Sequence, residues 1–418
     1  MTELTFVLFI FVVLLIVGQA CLVLGFVAAL RKKRPMLISD QQVPKAAVIL
    51  CLRGGDPFLA DCLAGLLGQD YPDFDIRVII DHEGDPTHPI VQRAVEAAGA
   101  TNVAVEVLQQ KRPDCSLKCS SLLQVVQSLD DSYEFVAQLD ADTIAHPTWL
   151  RELATALQDE QVGAATGNRW YMPGKPSVGA LVRYTWNAAA IVQMYWYHVA
   201  WGGTLAVKTR VFRETDVLEK WGQAFCEDTM LFGVLKRVGL RVAFVPSLMM
   251  INRESCDLGG FFRWVRRQLL TARLYHPAWP AVIGHGIWST LLPLAALVGF
   301  VAALATGNPQ AATWAGAALL LYEVSVAVLL VPMELAVQKI ADSRGEPSKW
   351  LPLLGKLKCL AIMPVTQVVY AAALASSLTL RSTVWRGISY RVNGPWQIEM
   401  QEYRPYCAEQ PTEQTVSL

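Results

Sequence analysis

EFVAQLDADTIAHP, residues 134–147, is the stretch on which the fold turns. Its apolar part, Phe135, Val136, Ala137 and Leu139, has the near-continuous hydrophobicity of a strand buried in a parallel sheet. Polarity breaks in at Asp140 and Asp142, at the carboxyl end of that strand, where open α/β sheets place their ligands. Two carboxylates spaced i, i+2 past a strand end suit one shared divalent cation, and the oxygens of a diphosphate commonly complete such a cation's shell. Aspartate is equally at home in turns and at helix N-caps, so the pair alone does not separate a site from a turn. Its surroundings do.

Upstream, Lys45 to Leu52 reads as a strand ended by Arg53, Gly54, Gly55, Asp56 and Pro57, where glycines let backbone approach a ligand. A helix to about Gly68 follows, then a second strand, Phe74 to Asp81, which also ends in acids: Asp81, Glu83 and Asp85. The alternation continues through Val103–Leu108 and Leu117–Leu129 to the opening strand. Such alternation predicts an α/β fold, a doubly wound, mostly parallel sheet with right-handed crossovers, and it brings acids from two strands to one sheet edge.

Downstream, Val162–Gly167 and Gly203–Val207 read as short strands separated by an aromatic helix whose rings suit core packing. Trp201, Gly202, Gly203 and Thr204 read either as core or as a flat, close floor for a ring. Glu227 and Asp228 precede the helical MLFGVLKRVG. They are either N-terminal acids that complement the helix dipole or the source of a base, since a carboxylate near an apolar cleft has its pKa raised by desolvation and takes a proton from a hydroxyl.

The chain has 418 residues, 53% of them hydrophobic, with a mean hydropathy of +0.32, more apolar than a soluble protein of ordinary composition. Leu4 to Leu30 is long enough to cross a hydrocarbon core of about 30 Å, and the Arg31, Lys32, Lys33, Arg34 cluster after it marks the cytoplasmic side. The expected organisation is an anchor over 1–34, a cytoplasmic catalytic domain over 45–260, an interfacial amphipathic segment over 261–282, a transmembrane region over 283–380 and a tail over 381–418. The interfacial assignment rests on Phe261, Phe262, Arg263, Trp264, Arg266 and Arg267, bulky apolar residues interleaved with cations that suit a headgroup layer. Three apolar runs follow, about 283–306, 311–337 and 357–380. Lys339, Arg344, Lys349, Lys356 and Lys358 put the last connection in the cytoplasm. Four crossings would leave the tail outside, whereas Arg381, Arg386 and Arg391 argue for the inside. One run therefore departs from a simple crossing, and Glu323, Pro332 and Glu334 point to the second of the three. The chain after Gln401 is short, polar and expected to be disordered.

Thirty-six basic residues balance thirty-six acidic ones, which gives no case for nucleic acid as a partner. The nine cysteines show no paired framework, and Cys115 and Cys119 lack the second pair a zinc site needs.

Taken in order, Asp81, the Asp140–Asp142 pair, Glu227–Asp228 and the Arg263–Trp264 pair resemble the D, DxD, ED, (Q/R)xxRW series of family 2-like glycosyltransferases, over most of Lys45 to Trp279. The resemblance is strongest to the ceramide glucosyltransferase branch, family 21: LRGGDPFLADCLAGLLGQDYPDFDIRVIIDHEGDP is similar to its first block and TVWRGISYRV, Thr383 to Val392, to its WRGxxY tail. It implies a GT-A fold, a nucleotide-sugar donor, a divalent cation (Mn²⁺ or Mg²⁺) and inversion at the anomeric carbon. On the matching positions, Asp81 would contact the nucleobase, Asp140 and Asp142 the metal and diphosphate, Lys118 the donor, and Asp228 would be the base. The last motif departs: the RW at Arg263 and Trp264 is preceded by Gly260 where Gln or Arg is expected, while Arg267 keeps the first position without the RW, so either segment is a candidate for the diphosphate. The expected activity is that of an integral, multi-pass membrane enzyme moving a hexose, glucose by resemblance, from a UDP-sugar to the hydroxyl of a ceramide or diacylglycerol. A processive polysaccharide synthase and a non-catalytic membrane scaffold are the rivals; the first needs more spans, the second fewer intact acids.

Overall fold

The computed structural model describes residues 1–172, 176–346 and 351–406. Lys349 of the basic connection, and residues 407–418 of the tail expected to be disordered, lie outside the described residues. In chain order the elements are α1 (Thr2–Leu30), β1 (Ala46–Leu52), α2 (Leu59–Leu67), β2 (Phe74–Ile80), α3 (His88–Ala98), β3 (Val103–Val107), α4 (Leu117–Ser128), β4 (Phe135–Leu139), α5 (Trp149–Leu157), β5 (Val162–Tyr171), α6 (Val178–Trp196) and β6 (Thr204–Lys208). They continue with α7 (Thr209–Glu214), α8 (Val217–Trp221), α9 (Leu231–Arg237), β7 (Arg241–Asn252), α10 (Leu258–Tyr275), α11 (Trp279–Ala305), α12 (Pro309–Asp342), α13 (Leu353–Leu378), β8 (Ser382–Trp385), β9 (Ile388–Gly394) and β10 (Gln397–Glu402).

Seven strands form one sheet in the order β3-β2-β1-β4-β6-β5-β7. Every pairing is parallel except those of β6, antiparallel to both neighbours. The doubly wound GT-A type of sheet expected from the sequence is therefore the one observed. Register does the positioning. Leu52 of β1 pairs with Ile80 of β2, and Leu50 with Leu139 of β4, so Arg53, Asp81 and Asp140 leave the sheet along one edge. Because β6 runs against β4 with Thr204 opposite Leu139, the Gly202–Gly203 turn enters at that same edge. The β4 strand is buried along its whole length, as its unbroken apolar run requires.

Among the described residues four helices are long and apolar enough to cross a membrane: α1, α11, α12 and most of α13. The first three pack together. Thr2 meets Asn308 at one end of the α1–α12 pair, and Arg34 donates to Ser343 at the other, 2.6 Å away. The domain-side ends of α1 and α12 share a buried cluster with the sheet, Phe26, Leu30, Val337 and Ile340 packing among Trp170, Met249 and Ile251.

The third run, α13, is held differently from the second. Leu351, just before α13, is buried with Trp170 and Met249, and just beyond its other end the Leu380 carbonyl accepts from Arg273 of α10 at 2.7 Å. Both ends of a helix roughly 39 Å long thus rest on the same domain, and the helix lies along α10 and α6. Glu334, which had cast doubt on α12, is buried and paired with Lys356 at 3.2 Å. Within the tail, residues 382–402 are ordered: β8, β9 and β10 form a three-stranded antiparallel sheet. Its inward residues Ile388, Tyr390, Val392 and Ile398 belong to the largest core cluster, with Leu122, Phe225 and Tyr275. The alternating burial of β9 is the period-two pattern of a sheet with one packed face. The segment expected at a headgroup layer, 261–282, divides between α10 and the start of α11, and α10 packs on α6 and α13 through Phe261, Trp264 and Val265.

Candidate active site

A cavity of about 180 Å³ opens at the carboxyl edge of β1, β2 and β4. Asp81, Lys118, Asp140, Asp142, Glu227, Asp228, Trp264 and Arg267 all line it, so the sheet collects eight of the nine residues singled out in the sequence. The ninth, Arg263, is exposed on the outer face of α10 and does not line the cavity. Helical geometry explains the split: Trp264, Arg267, Gln268 and Thr271 recur at i, i+3, i+4, i+7 and share the inward face, which Arg263 misses.

Lys118, in the first turn of α4, sits between two carboxylates, 2.6 Å from Asp140 Oδ1 and 2.8 Å from Glu227 Oε1. Burial alone would lower its pKa, but the two carboxylates raise it well above the usual lysine value. Burial would raise Asp140, and Lys118 overcomes that and holds its carboxyl below the usual range. Asp142 accepts from Asn252 at 3.2 Å. Burial, then the charges of Asp140 and Glu254, push it up to about 6, although Arg169 draws its pKa down. Glu227 is raised as well, by burial and by Asp228, against the pull of Lys118. It also accepts from Gln138 at 3.0 Å, so it is a buried counter-charge rather than a helix-start neighbour.

Asp228 accepts the Gly202 N–H at 2.8 Å on one oxygen, and the Thr229 N–H and hydroxyl at 2.6 and 2.9 Å on the other. The following helix begins at Leu231 with Met230 as its cap and no side-chain capping bond. The side chain of Asp228 therefore makes no capping bond to that helix.

Gly202 and Gly203 form the floor beneath these acids. A Cβ on Gly202 would collide with Glu227 Oε1, and one on Gly203 would strike the Trp201 ring and stand 2.9 Å from Asp140 Oδ2. The glycine pair noted in the sequence is thus required by close approach to the carboxylates themselves.

At the far end, Asp81 pairs with Arg53 and accepts from the Tyr403 hydroxyl at 3.2 Å. Its Oδ1 is buried without a hydrogen-bond partner among the described residues, where buried acceptors are ordinarily paired.

Among the described residues no three His, Cys, Asp or Glu side chains cluster as a closed metal site. The donor set fits the open kind. Two carboxylates one residue apart, one of them raised by the other's charge, suit Mg²⁺ or Mn²⁺, which is held by one or two carboxylates while substrate phosphates supply further ligands.

Residues that sequence reasoning did not reach also line the cavity: Arg169 from β5, and Trp385, Arg386 and Tyr390 from the C-terminal sheet. The WRGxxY resemblance was the one signal for the latter three; Arg169 had none.

A second cavity, about 240 Å³ and mostly apolar, is lined by residues of α1, α6, α11, α12 and α13, among them Val23, Ala188, His285, Leu329 and Tyr370. It adjoins the first. Arg169, Trp201, Asp228, Trp264, Gln268 and Thr271 line both.

A family model described as glycosyl transferase family 21 matches residues 7–396. The chain is 32% identical over 89 residues to a ceramide glucosyltransferase of Gibberella zeae, covering 20% of this chain and 16% of that one. It is 25% identical over 299 residues to an N-acetylglucosaminyltransferase of Rhizobium leguminosarum bv. viciae, covering 63% and 66%. It therefore spans about a sixth of the first relative's length and just under two thirds of the second's. Among solved structures, the mannosyltransferase PcManGT of Pyrobaculum calidifontis, in complex with GDP-Man and Mn²⁺, aligns with a TM-score of 0.48 at 17% identity, over 89% of this chain and 99% of that one. With its model matched across nearly the whole sequence, the chain belongs to glycosyl transferase family 21.

Proposed function

We propose that the protein is a membrane-bound, inverting glycosyltransferase that moves a hexose from a UDP-sugar to the hydroxyl of a lipid, a ceramide or a diacylglycerol. The observation that carries this reading is the position of Asp228, which lines both the polar cavity and the apolar one. A nucleotide sugar in the first and an acyl-chain lipid in the second would meet at that carboxylate. The apolar cavity is walled by helices long enough to span a bilayer, so a lipid acceptor has a route to the site from the membrane.

In the proposed reaction the acceptor oxygen attacks the anomeric carbon from the face opposite the diphosphate. The bond from that carbon to the diphosphate oxygen breaks, and the bonding pair leaves with the nucleotide. Asp228 takes the hydroxyl proton as the new bond forms; Gly202 and Thr229, donating to both its oxygens, fix the carboxylate's orientation. Asp140 and Asp142 would hold a divalent cation that neutralises the charge developing on the leaving diphosphate. Lys118 keeps Asp140 ionised and in place, and the unpartnered Oδ1 of Asp81 suits an N–H of the base. We assign the sheet domain to the cytoplasmic side, as the Arg31–Arg34 cluster indicates.

The test is to incubate membranes holding the protein with a panel of labelled nucleotide sugars, with and without chelator, and to analyse the extracted lipids. Label should enter a lipid from a UDP-hexose, stop with chelator and return with Mn²⁺ or Mg²⁺. Label in polymer, or none in lipid from any donor, would overturn the reading.

A further inference from the structure

The hairpin joining β8 to β9 turns on two residues, Arg386 and Gly387, with Trp385 paired to Ile388 across it. Both have positive φ, 48° and 76°. A two-residue turn of this kind needs φ > 0 at both positions and is ordinarily served by Asn-Gly or Asp-Gly. Glycine fits its place. Arginine in the left-handed region is strained, and a strained residue held by its surroundings points to a task for its side chain.

The side chain of Arg386 enters the polar cavity. One amino group of its guanidinium bonds Asp56 Oδ2 at 3.1 Å, while the other, Nη1, is buried with no partner among the described residues. Nearby stands Arg267, buried, making no ion pair among the described residues and lying over the Trp385 ring at 5.2 Å. Burial, then Arg386 and Arg169, lower its pKa to about 10. Gathering like charges out of water is unfavourable unless an anion joins them. The C-terminal segment is also fastened to the loop after β1: Arg53 donates to the carbonyls of Arg386 and Arg404 at 2.8 and 2.7 Å. The loop that ends β1 and the hairpin tip thus form one wall.

Resting on the nucleotide-sugar reading above, we propose that Arg386 grips the diphosphate of the donor through its unpartnered amino group, beside the Arg267 position that the family resemblance already offers for it, so that the C-terminal three-stranded sheet is part of the donor site. A planar guanidinium suits this work because it presents paired donors to phosphate oxygens, which an ammonium does not.

The test uses the full chain in detergent with Mn²⁺ and compares UDP, UMP and uridine by calorimetry for wild type, Arg386→Asn and Arg386→Lys. Asparagine suits the left-handed position better than arginine but leaves the buried Asp56 carboxylate without its cation, so the melting of each variant without nucleotide is measured beside its binding. Its affinity for UDP should fall by about 10- to 100-fold, the worth of lost hydrogen bonds to a charged group, with uridine unchanged. Arg386→Lys, keeping the charge but not the fork, should lose less. Equal UDP affinity in wild type and both variants would overturn the proposal alone. Equal loss of uridine and UDP would also overturn it, reducing Arg386 to a prop for the fold. A wild type that binds no nucleoside diphosphate would overturn the donor reading, and the proposal with it.

Discussion

Asp228 and Glu227 are neighbours in sequence with opposite surroundings: one faces the meeting of two cavities, the other is buried against Lys118 and Gln138. Asp228→Asn keeps the shape and still accepts through its carbonyl, but cannot take a proton. Donor affinity should stay near wild type while turnover falls by roughly 10² to 10⁴, read as UDP affinity by calorimetry beside the rate of lipid glycosylation. The proposed cation brings a pH dependence. Because burial and Asp140 raise Asp142 to about 6, and metal needs the ionised carboxylate, Mn²⁺ affinity should be full above about pH 6. Below it, affinity should drop by about tenfold per unit as protons compete; calorimetric Mn²⁺ titration across roughly pH 5 to 8 would read this, and a flat profile would remove Asp142 as a ligand. Asp81, Asp140, Asp142 and Asp228 were legible in the sequence because each follows or opens an element whose apolar pattern fixes its position, whereas Lys118 was singled out by the family resemblance alone. Arg169 was not, since mid-strand it carries no local signal and its place depends on three aromatic rings, Tyr171, Trp201 and Trp264, that pack around it.

The helix α13 shows what hydropathy leaves open. Its composition qualifies it as a span, yet Thr366 bonds Thr185 of α6 at 2.9 Å and Gln367 bonds the Tyr322 hydroxyl at 3.0 Å, polar contacts that tie it to the domain and to α12. A window average over apolar residues does not register where the two ends of a helix come to rest. The sequence did contain the contradiction, in the arginines after the last run, and three crossings in place of four remove it. Single cysteines tested with a membrane-impermeant thiol reagent would decide the matter: Glu83→Cys in the sheet domain and Glu399→Cys on β10 should react from the same side of the membrane, and Gln310→Cys, at the start of α12, from the opposite side. All three positions are exposed. Labelling of Glu399→Cys together with Gln310→Cys would restore the fourth crossing.

On the scale of the whole molecule, the sheet and its edge were foreseen because alternating strands and helices with acids at strand ends admit few arrangements. The joining of the two cavities was not, because it depends on α6 and α10 lying between the sheet and the apolar helices, a relation among distant segments. The closing role of the C-terminal sheet was hidden for the same reason, and it has a consequence in time. Arg386 leaves the ribosome roughly 240 residues after Asp142, which at about 5–20 residues per second is a lag of roughly 10 to 50 s. During that interval the acids of the sheet edge exist without the hairpin that faces them, while the apolar helices are still being inserted. If the hairpin completes the donor site, a nascent chain holds its nucleotide weakly until its last helices are in place, and the order of synthesis itself keeps an unfinished enzyme idle.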